Sequence, residues 1–117
     1  VEGWVDFSRE KVADICYRND LFVNVSISDA NPTTLLEFAL ASGIVPLCTE
    51  TSGYWRDDCF ITIPHDAAEA ADIIQDWLNK PSEDLQARSR ANRAVCEQKY
   101  TWDRFCRTVW AGLEPLL

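Results

Sequence analysis

The fold is decided by residues 21–48, which read LFVNVSISDANPTTLLEFALASGIVPLC. The apolar run at 21–25 predicts a buried strand, Asn31 marks the start of a predicted helix, and the apolar run at 44–48 predicts a second strand. Two strands joined through a helix are typical of a parallel sheet with a right-handed crossover. We therefore expect an α/β fold in which a partial, Rossmann-like parallel sheet is flanked by helices.

Further elements extend this pattern towards both ends of the chain. Trp4 lies in a short apolar segment that predicts a strand, Ser8 predicts the N-cap of a helix, and residues 60–63 predict another strand. Only helices are predicted beyond residue 65, so the sheet should be followed by a helical C-terminal tail. The predicted N-caps of these helices are Asp66 (in a capping box with Glu69), Ser82 and Thr101.

Apolar spacing predicts which face of each helix is buried. In the helix that is predicted to begin at Asn31, this face consists of Leu36, Ala39, Leu40 and Gly43. In the helix capped by Asp66, it consists of Ala70, Ile73, Ile74, Trp77 and Leu78. The last helix carries a continuous stripe of Trp102, Phe105, Cys106, Val109, Trp110 and Leu113. We expect Trp102 and Trp110 to belong to the core.

Length and composition bound the domain organisation. A chain of 117 residues with 47% hydrophobic residues is the size of one domain and can bury a core, which excludes disorder. We expect one domain over residues 1–117, and its apolar runs are too short to predict a transmembrane segment. The chain contains no Met and begins at Val1. This predicts a fragment of a longer protein.

Charge and cysteine usage limit the partners and the compartment. The net charge of −8, from 11 basic and 19 acidic residues, argues against binding to nucleic acid or to anionic membranes. The five cysteines are odd in number and form no Cys-x-x-Cys pair, so neither a metal site nor a disulfide framework is predicted. We interpret them as reduced thiols of a cytoplasmic protein.

The loop between the first predicted strand and its helix carries the clearest signs of a ligand site. Ligands of open parallel sheets bind at the carboxyl ends of the strands. Asn31 is a strong N-cap and Pro32 suits the first helical position, so the amides of Thr33 and Thr34 should point outwards at the positive end of the helix dipole. Such a helix start is suited to phosphate.

Glu37 interrupts an otherwise apolar run one helical turn beyond Thr33. Its carboxylate could accept both hydroxyls of a ribose whose phosphates lie on the helix start. It could equally belong to the solvated face of an amphipathic helix. The residue pattern alone favours neither of these two interpretations.

A longer series of motifs resembles a known family. The matching residues, in order, are Asn19-Asp20-Leu21-Phe22-Val23, Ser26, Asp29, Pro32 through Glu37, Gly43, Pro46, Ser52-Gly53, Pro64, Asp66 and Tyr100-Thr101-Trp102. From Tyr17 to Val109 the chain resembles the nucleotide-binding half of retaining glycosyltransferases that have the GT-B fold and use nucleotide sugars, in particular the family 4 type. Two acidic residues separated by seven others are typical of that family, and Asp29 and Glu37 have this spacing.

The resemblance implies a function and residue roles. The parent enzyme would transfer a sugar, with retention, from a nucleoside diphosphate sugar to a glycan or lipid-linked acceptor, without a metal or other cofactor. Glu37 would hold the donor ribose, residues 31–34 would contact the phosphates, and Asp29 would lie near the donor sugar as the catalytic residue. The family's acceptor domain and its diphosphate-clamping basic residues lie upstream, so the isolated chain should be inactive.

Departures from the family pattern keep two other functions open. Asp29 and Ala30 stand where the family usually has Glu and Gly, and Arg56 stands where it often has Glu. A degenerate transferase domain kept as a scaffold is one alternative. The other is a non-catalytic flavodoxin-like or receiver-like module, although the acidic cluster and late Lys of a receiver are missing.

Three other groups of residues have side chains that could serve a function. His65 has no Ser or Cys partner in the sequence that would suggest a nucleophile, so we expect it to be an ordinary loop residue. Tyr54 and Trp55 could stack on a base or a sugar, but packing against a helix is the favoured role. The basic residues Arg88, Arg90, Arg93 and Lys99 are predicted to form a solvated helix face.

Overall fold

Three parallel strands form a sheet in the described part of the chain, and they lie side by side in the order in which they occur in the sequence. The computed structural model describes residues 8–54 and 60–116. Its strands are β1 (Leu21–Asn24), β2 (Val45–Thr49) and β3 (Ile61–Ile63). The predicted α/β class with a parallel sheet is confirmed. The strand predicted around Trp4 lies outside the described residues.

Within the described residues, five α-helices surround and follow the sheet. They are α1 (Arg9–Arg18), α2 (Thr33–Ala41), α3 (Ala67–Leu78), α4 (Ser82–Lys99) and α5 (Trp102–Leu113), and a 3₁₀ turn follows at Glu114–Leu116. The described part of the chain contains no helix that is both long enough and apolar enough to cross a membrane.

Three of the predicted helix caps are present. Ser8 accepts from the amide of Lys11, Asp66 from the amides of Ala68 and Glu69, and Thr101 from the amide of Arg104. Helix α4 begins one residue earlier than predicted, because Ser82 was expected to be its N-cap. Pro81 occupies its N-cap position, and Ser82 is its first residue.

Strand β2 is buried along its whole length because helices cover both faces of the sheet. Side chains of a strand point alternately to its two faces. On one face, Cys48 packs in a cluster with Leu35 and Ala39 of α2 and Cys96 of α4. On the other face, Val45 and Leu47 pack with side chains of α3 and with Leu85 at the start of α4.

The buried face of α2 differs from the predicted one. Leu35, Phe38 and Ala39 are buried, whereas Leu40 is exposed. Phe38 lies against Phe22 of β1 with ring centroids 4.2 Å apart and also packs on α1, so the contact with α1 rotates the buried face towards Leu35 and Phe38.

Most of the predicted face of α3 packs on the sheet, but Leu78 is exposed. It is the last residue of α3, and the helix covers β3, which has only three residues. The end of the helix therefore extends beyond the strand.

The prediction that Trp102 and Trp110 belong to the core is wrong. Trp102 is 81% exposed and Trp110 is 59% exposed, and Phe105, Val109 and Leu113 are also exposed. Among the described elements, only the following 3₁₀ turn packs closely against α5. The stripe is helical as predicted, but nothing in the described part of the chain covers it.

The end of α2 is fixed by a hydrogen bond to a buried serine of α4. Ser42 and Gly43 have φ values of +69° and +88°, which turn the chain from α2 into β2. The amide of Gly43 donates to the hydroxyl of Ser89, at 2.8 Å, and Ser89 is buried.

We predict that Ser89→Ala lowers the free energy of unfolding by about 0.5–1.5 kcal/mol, because the hydrogen bond from the Gly43 amide is lost. Urea denaturation followed by circular dichroism measures the change. Ser28→Ala, at an exposed serine, is the matched control and should change stability by less than about 0.5 kcal/mol. Equal effects of the two substitutions would contradict the role given to Ser89.

Candidate functional site

Two loops meet at the carboxyl edge of the sheet. The amide of Gly53, after β2, donates to the carbonyl oxygen of Asp29, before α2, at 2.8 Å, and Asp29 forms a parallel bridge with Ser52. The approach is so close that a Cβ on Gly53 would lie 1.9 Å from the carbonyl oxygen of Ala30. Only glycine therefore fits at this point of the loop.

Asp29 is a structural residue of this junction. Its carboxylate accepts from the amide of Asn31 at 3.1 Å, which closes a local turn before α2. The side chain is half-buried and does not line the groove described below. Its catalytic role stays a prediction.

Asn31 does not cap α2, contrary to the sequence-based prediction. Pro32 occupies the N-cap position without a side-chain hydrogen bond, and Asn31 Oδ1 accepts from the hydroxyl of Tyr54. Tyr54 is buried, and a buried tyrosine hydroxyl needs a polar partner. This long-range bond replaces the local cap. Pro32 is also buried and presents no side chain to a ligand at the helix start, whereas Asn31 is exposed there.

A groove of about 700 Å³ runs between α2 and the first turns of α5. Asn31, Thr33 and Glu37 line it, whereas Pro32 and Thr34 do not. Thr33 and Thr34 are the first two residues of α2, so their amides have no acceptor within the helix. The groove therefore brings together three of the six predicted site residues.

Glu37 stands exposed on the α2 wall of this groove. No hydrogen bond or ion pair joins its carboxylate to any residue of the described ranges, 8–54 and 60–116. It also borders a second groove, of about 540 Å³, whose lining includes Arg9 and Arg93. Both oxygens of the Glu37 carboxylate are thus available as acceptors.

Aromatic side chains form much of the remaining lining of the groove, which is contributed by Tyr54, Tyr100, Trp102 and Phe105. Tyr54 and Tyr100 meet edge to face with centroids 5.2 Å apart, and Trp102 and Phe105 do so at 5.7 Å. Tyr54 packs as expected, in the core cluster that includes Cys96. Trp55 lies outside the described residues, as do Arg56 and Cys59.

Two cationic side chains, Lys99 and Arg104, also line the groove. The Arg104 Nη1 donates to the carbonyl oxygen of Gln98 at 3.4 Å, which holds the guanidinium beside the α4–α5 junction. In the sequence, Lys99 is predicted on a solvated helix face, Tyr100 belongs to a motif shared with the family and Phe105 to the apolar stripe. None of these residues, nor Arg104, was predicted to belong to the site. Local sequence patterns do not predict that these residues line the groove, because their direction towards α2 is set by the turn at Thr101.

The described cysteines are free thiols, and three of the four are buried. Burial raises the pKa of Cys16 and of Cys48, although the hydrogen bond with Ser52 lowers that of Cys48 by less than burial raises it. Both thiols therefore stay protonated at neutral pH and are poor nucleophiles.

Other candidate groups lie apart from the groove. His65 is an exposed residue between β3 and α3, as expected, and its Nε2 lies 2.8 Å from the hydroxyl of Thr51. Within the described ranges, no three His, Cys, Asp or Glu side chains are grouped as a metal site requires. The groove between α2 and α5 is therefore the candidate site.

We predict that Gly53→Ala destabilises the chain by about 2 kcal/mol or more, because the new Cβ collides with backbone and the two loops must separate. Gly112→Ala is the matched control. A Cβ at Gly112 meets nothing within 4 Å, so this change should stabilise α5 by about 0.5–1 kcal/mol. Thermal denaturation of both variants measures the contrast, and a neutral Gly53→Ala would contradict the close approach.

The chain matches no family model, curated protein or solved structure among those with which we compared it. The resemblance to GT-B glycosyltransferases therefore rests on the order of its sequence motifs. Any function must be argued from the groove itself.

Proposed function

We propose that the chain is the donor-binding part of a retaining glycosyltransferase, and that the groove between α2 and α5 holds the nucleoside diphosphate of the sugar donor. The observation that carries this proposal is the lining of the groove. Glu37 and Thr33 share it with aromatic rings and with Lys99 and Arg104. These groups suit a ribose, a diphosphate and a base.

In this proposal, the carboxylate of Glu37 binds the two hydroxyls of the ribose. An ionised carboxylate accepts hydrogen bonds through two oxygens, and a ribose offers two neighbouring hydroxyls. Glu37 has no partner among the described residues that a ribose would have to displace. Binding therefore costs no existing ion pair.

The diphosphate fits at the start of α2. The free amides of Thr33 and Thr34 lie at the positive end of the helix dipole, and a helix of nine residues supplies that dipole. Lys99 and Arg104 add positive charge in the same groove. Such local positive charge is needed because the net charge of the whole chain is −8.

The aromatic side chains provide a stacking surface for the base. Trp102 is the most exposed of the groove's aromatic residues, and its face can stack on a planar ring without rearrangement of the core. Tyr54 and Tyr100 are packed against each other, so they form a fixed part of the groove wall.

In the proposed transfer, the sugar leaves the diphosphate for a glycan or lipid-linked acceptor with retention of configuration. Negative charge then builds up on the leaving diphosphate. The amide of Thr33, with Lys99 and Arg104, would stabilise that charge without a metal. The described thiols are free, which favours a reducing, cytoplasmic setting for this reaction.

One observation favours a second function, a degenerate domain that binds nucleotide without taking part in transfer. Asp29, the proposed catalytic residue, does not line the groove, and its carboxylate is bonded to the Asn31 amide. A nucleotide on α2 could bind while this carboxylate remains a purely structural group.

The proposal predicts that UDP, GDP or ADP shifts the amide resonances of residues 31–37 and 100–105 in two-dimensional NMR spectra. Glu37→Ala should weaken the binding of the preferred nucleotide by about 10- to 100-fold, the effect of losing hydrogen bonds to a charged group. Glu83→Ala, at an exposed glutamate in the first turn of α4, is the matched control and should leave affinity unchanged.

A 2′-deoxynucleotide tests the ribose contact itself. If Glu37 holds the ribose, removal of the 2′-hydroxyl should weaken binding to the original chain but change binding to Glu37→Ala much less. Additive effects would overturn the role of Glu37. The absence of shifts with every nucleotide, in a well-dispersed spectrum, would overturn the proposed function.

A further inference from the structure

The apolar stripe of α5 contains half of the large apolar side chains that are exposed in the described chain. Its members are Trp102, Phe105, Cys106, Val109, Trp110 and Leu113, and all of them are exposed. The isolated apolar side chains elsewhere on the surface form no comparable row along one helix face. A contiguous face of two tryptophans and a phenylalanine is typical of an interaction surface.

The area of the stripe is close to what a dimer needs. Aromatic residues expose about 150–250 Å² when free, so the observed exposures correspond to roughly 600 Å² of apolar surface. Pairing with an identical stripe would bury roughly 1,200 Å², and flanking polar atoms would add to it. Specific protein interfaces begin at about this size.

The spacing of the apolar positions in the stripe is symmetric about its midpoint. An antiparallel copy of α5 centred between Arg107 and Thr108 places Trp102 at the level of Leu113, Phe105 at the level of Trp110, and Cys106 at the level of Val109. Each apolar residue of one helix therefore lies opposite an apolar residue of the other helix. A face that matches its own copy when reversed is what a two-fold symmetric interface requires.

Charge near the stripe does not oppose such pairing. The segment from α5 through the following turn carries two acidic residues, Asp103 and Glu114, and two basic residues, Arg104 and Arg107. Arg107 and Asp103 already form an ion pair within the helix. The stripe is therefore flanked by balanced charge, although the chain as a whole carries −8.

We propose that the chain forms a two-fold symmetric dimer in which the α5 helices of two copies pack antiparallel through this stripe. The partner is a second copy of this chain. The interface is centred on Cys106 and Val109, and Trp110 and Phe105 are its aromatic anchors. Phe105 and Trp102 also line the groove, whereas Cys106, Val109 and Trp110 do not, so a substitution at Trp110 tests the dimer without changing a residue of the nucleotide site.

Sedimentation equilibrium in reducing buffer tests the dimer. We expect the mass to rise with concentration from 13.3 kDa to twice that value and no further. Trp110→Lys should raise the dimer dissociation constant at least about 30-fold, as expected for the loss of an aromatic anchor. Ala111→Lys introduces the same residue on the opposite side of α5 and is the matched control, which should still dimerise.

Circular dichroism shows whether both lysine variants keep their helices. A chain that stays monomeric at all concentrations would overturn the proposal. So would equal weakening by the two lysine variants, or growth beyond a dimer.

Crosslinking tests the antiparallel orientation in a Cys59→Ser background. With a rise of 1.5 Å per residue, the two Cys106 residues of an antiparallel pair differ by about 4.5 Å along the helix axis, and a short bis-maleimide should join them. In a Cys106→Ser/Leu113→Cys variant the two cysteines are about 16 Å apart along the axis, so crosslinking should be lost. Efficient crosslinking through residue 113 would indicate parallel helices and overturn the proposed geometry.

Discussion

The burial of β2 on both faces is the constraint on which the rest of the structure depends. Because successive side chains of a strand point to opposite faces, Val45 and Leu47 need a cover on one side and Cys48 on the other. Helix α3 supplies the first cover, and α2 with α4 supplies the second. This arrangement fixes α2 beside the carboxyl edge of the sheet, where its first turn meets the loop that carries Gly53.

Those parts of the fold that depend on local patterns could be predicted from the sequence. The strands at residues 21–24 and 45–49 lie in continuous apolar runs, and Ser8, Asp66 and Thr101 cap helices through bonds within a few residues. One wall of the candidate groove was predicted for the same reason, because Thr33 and Glu37 are one turn apart on a single helix. These features need no knowledge of distant parts of the chain.

The features that sequence reasoning missed depend on contacts between distant residues. Asn31 has a high N-cap propensity, but the buried hydroxyl of Tyr54, 23 residues away, binds its side-chain oxygen instead. Lys99, Tyr100 and Arg104 face α2 only because of the direction that the chain takes at Thr101. The stripe of α5 shows a further limit of prediction from sequence. Its periodicity predicts an apolar face that needs to be buried, but it does not tell whether the core of the same chain or the surface of a second copy covers that face.

The groove and the exposed stripe are two consequences of one packing arrangement. If α5 lay flat on α2, Trp102 and Phe105 would be buried as the sequence pattern predicts, but they would fill the space beside Glu37 and Thr33. Because α5 stands away from α2, a cavity of about 700 Å³ remains between them, and the apolar face stays uncovered. A second copy that covers Val109, Trp110 and Leu113 would remove that apolar surface from water. The chain would then gain the burial that α5 lacks, and the wall of the groove formed by Glu37 and Thr33 would remain in place.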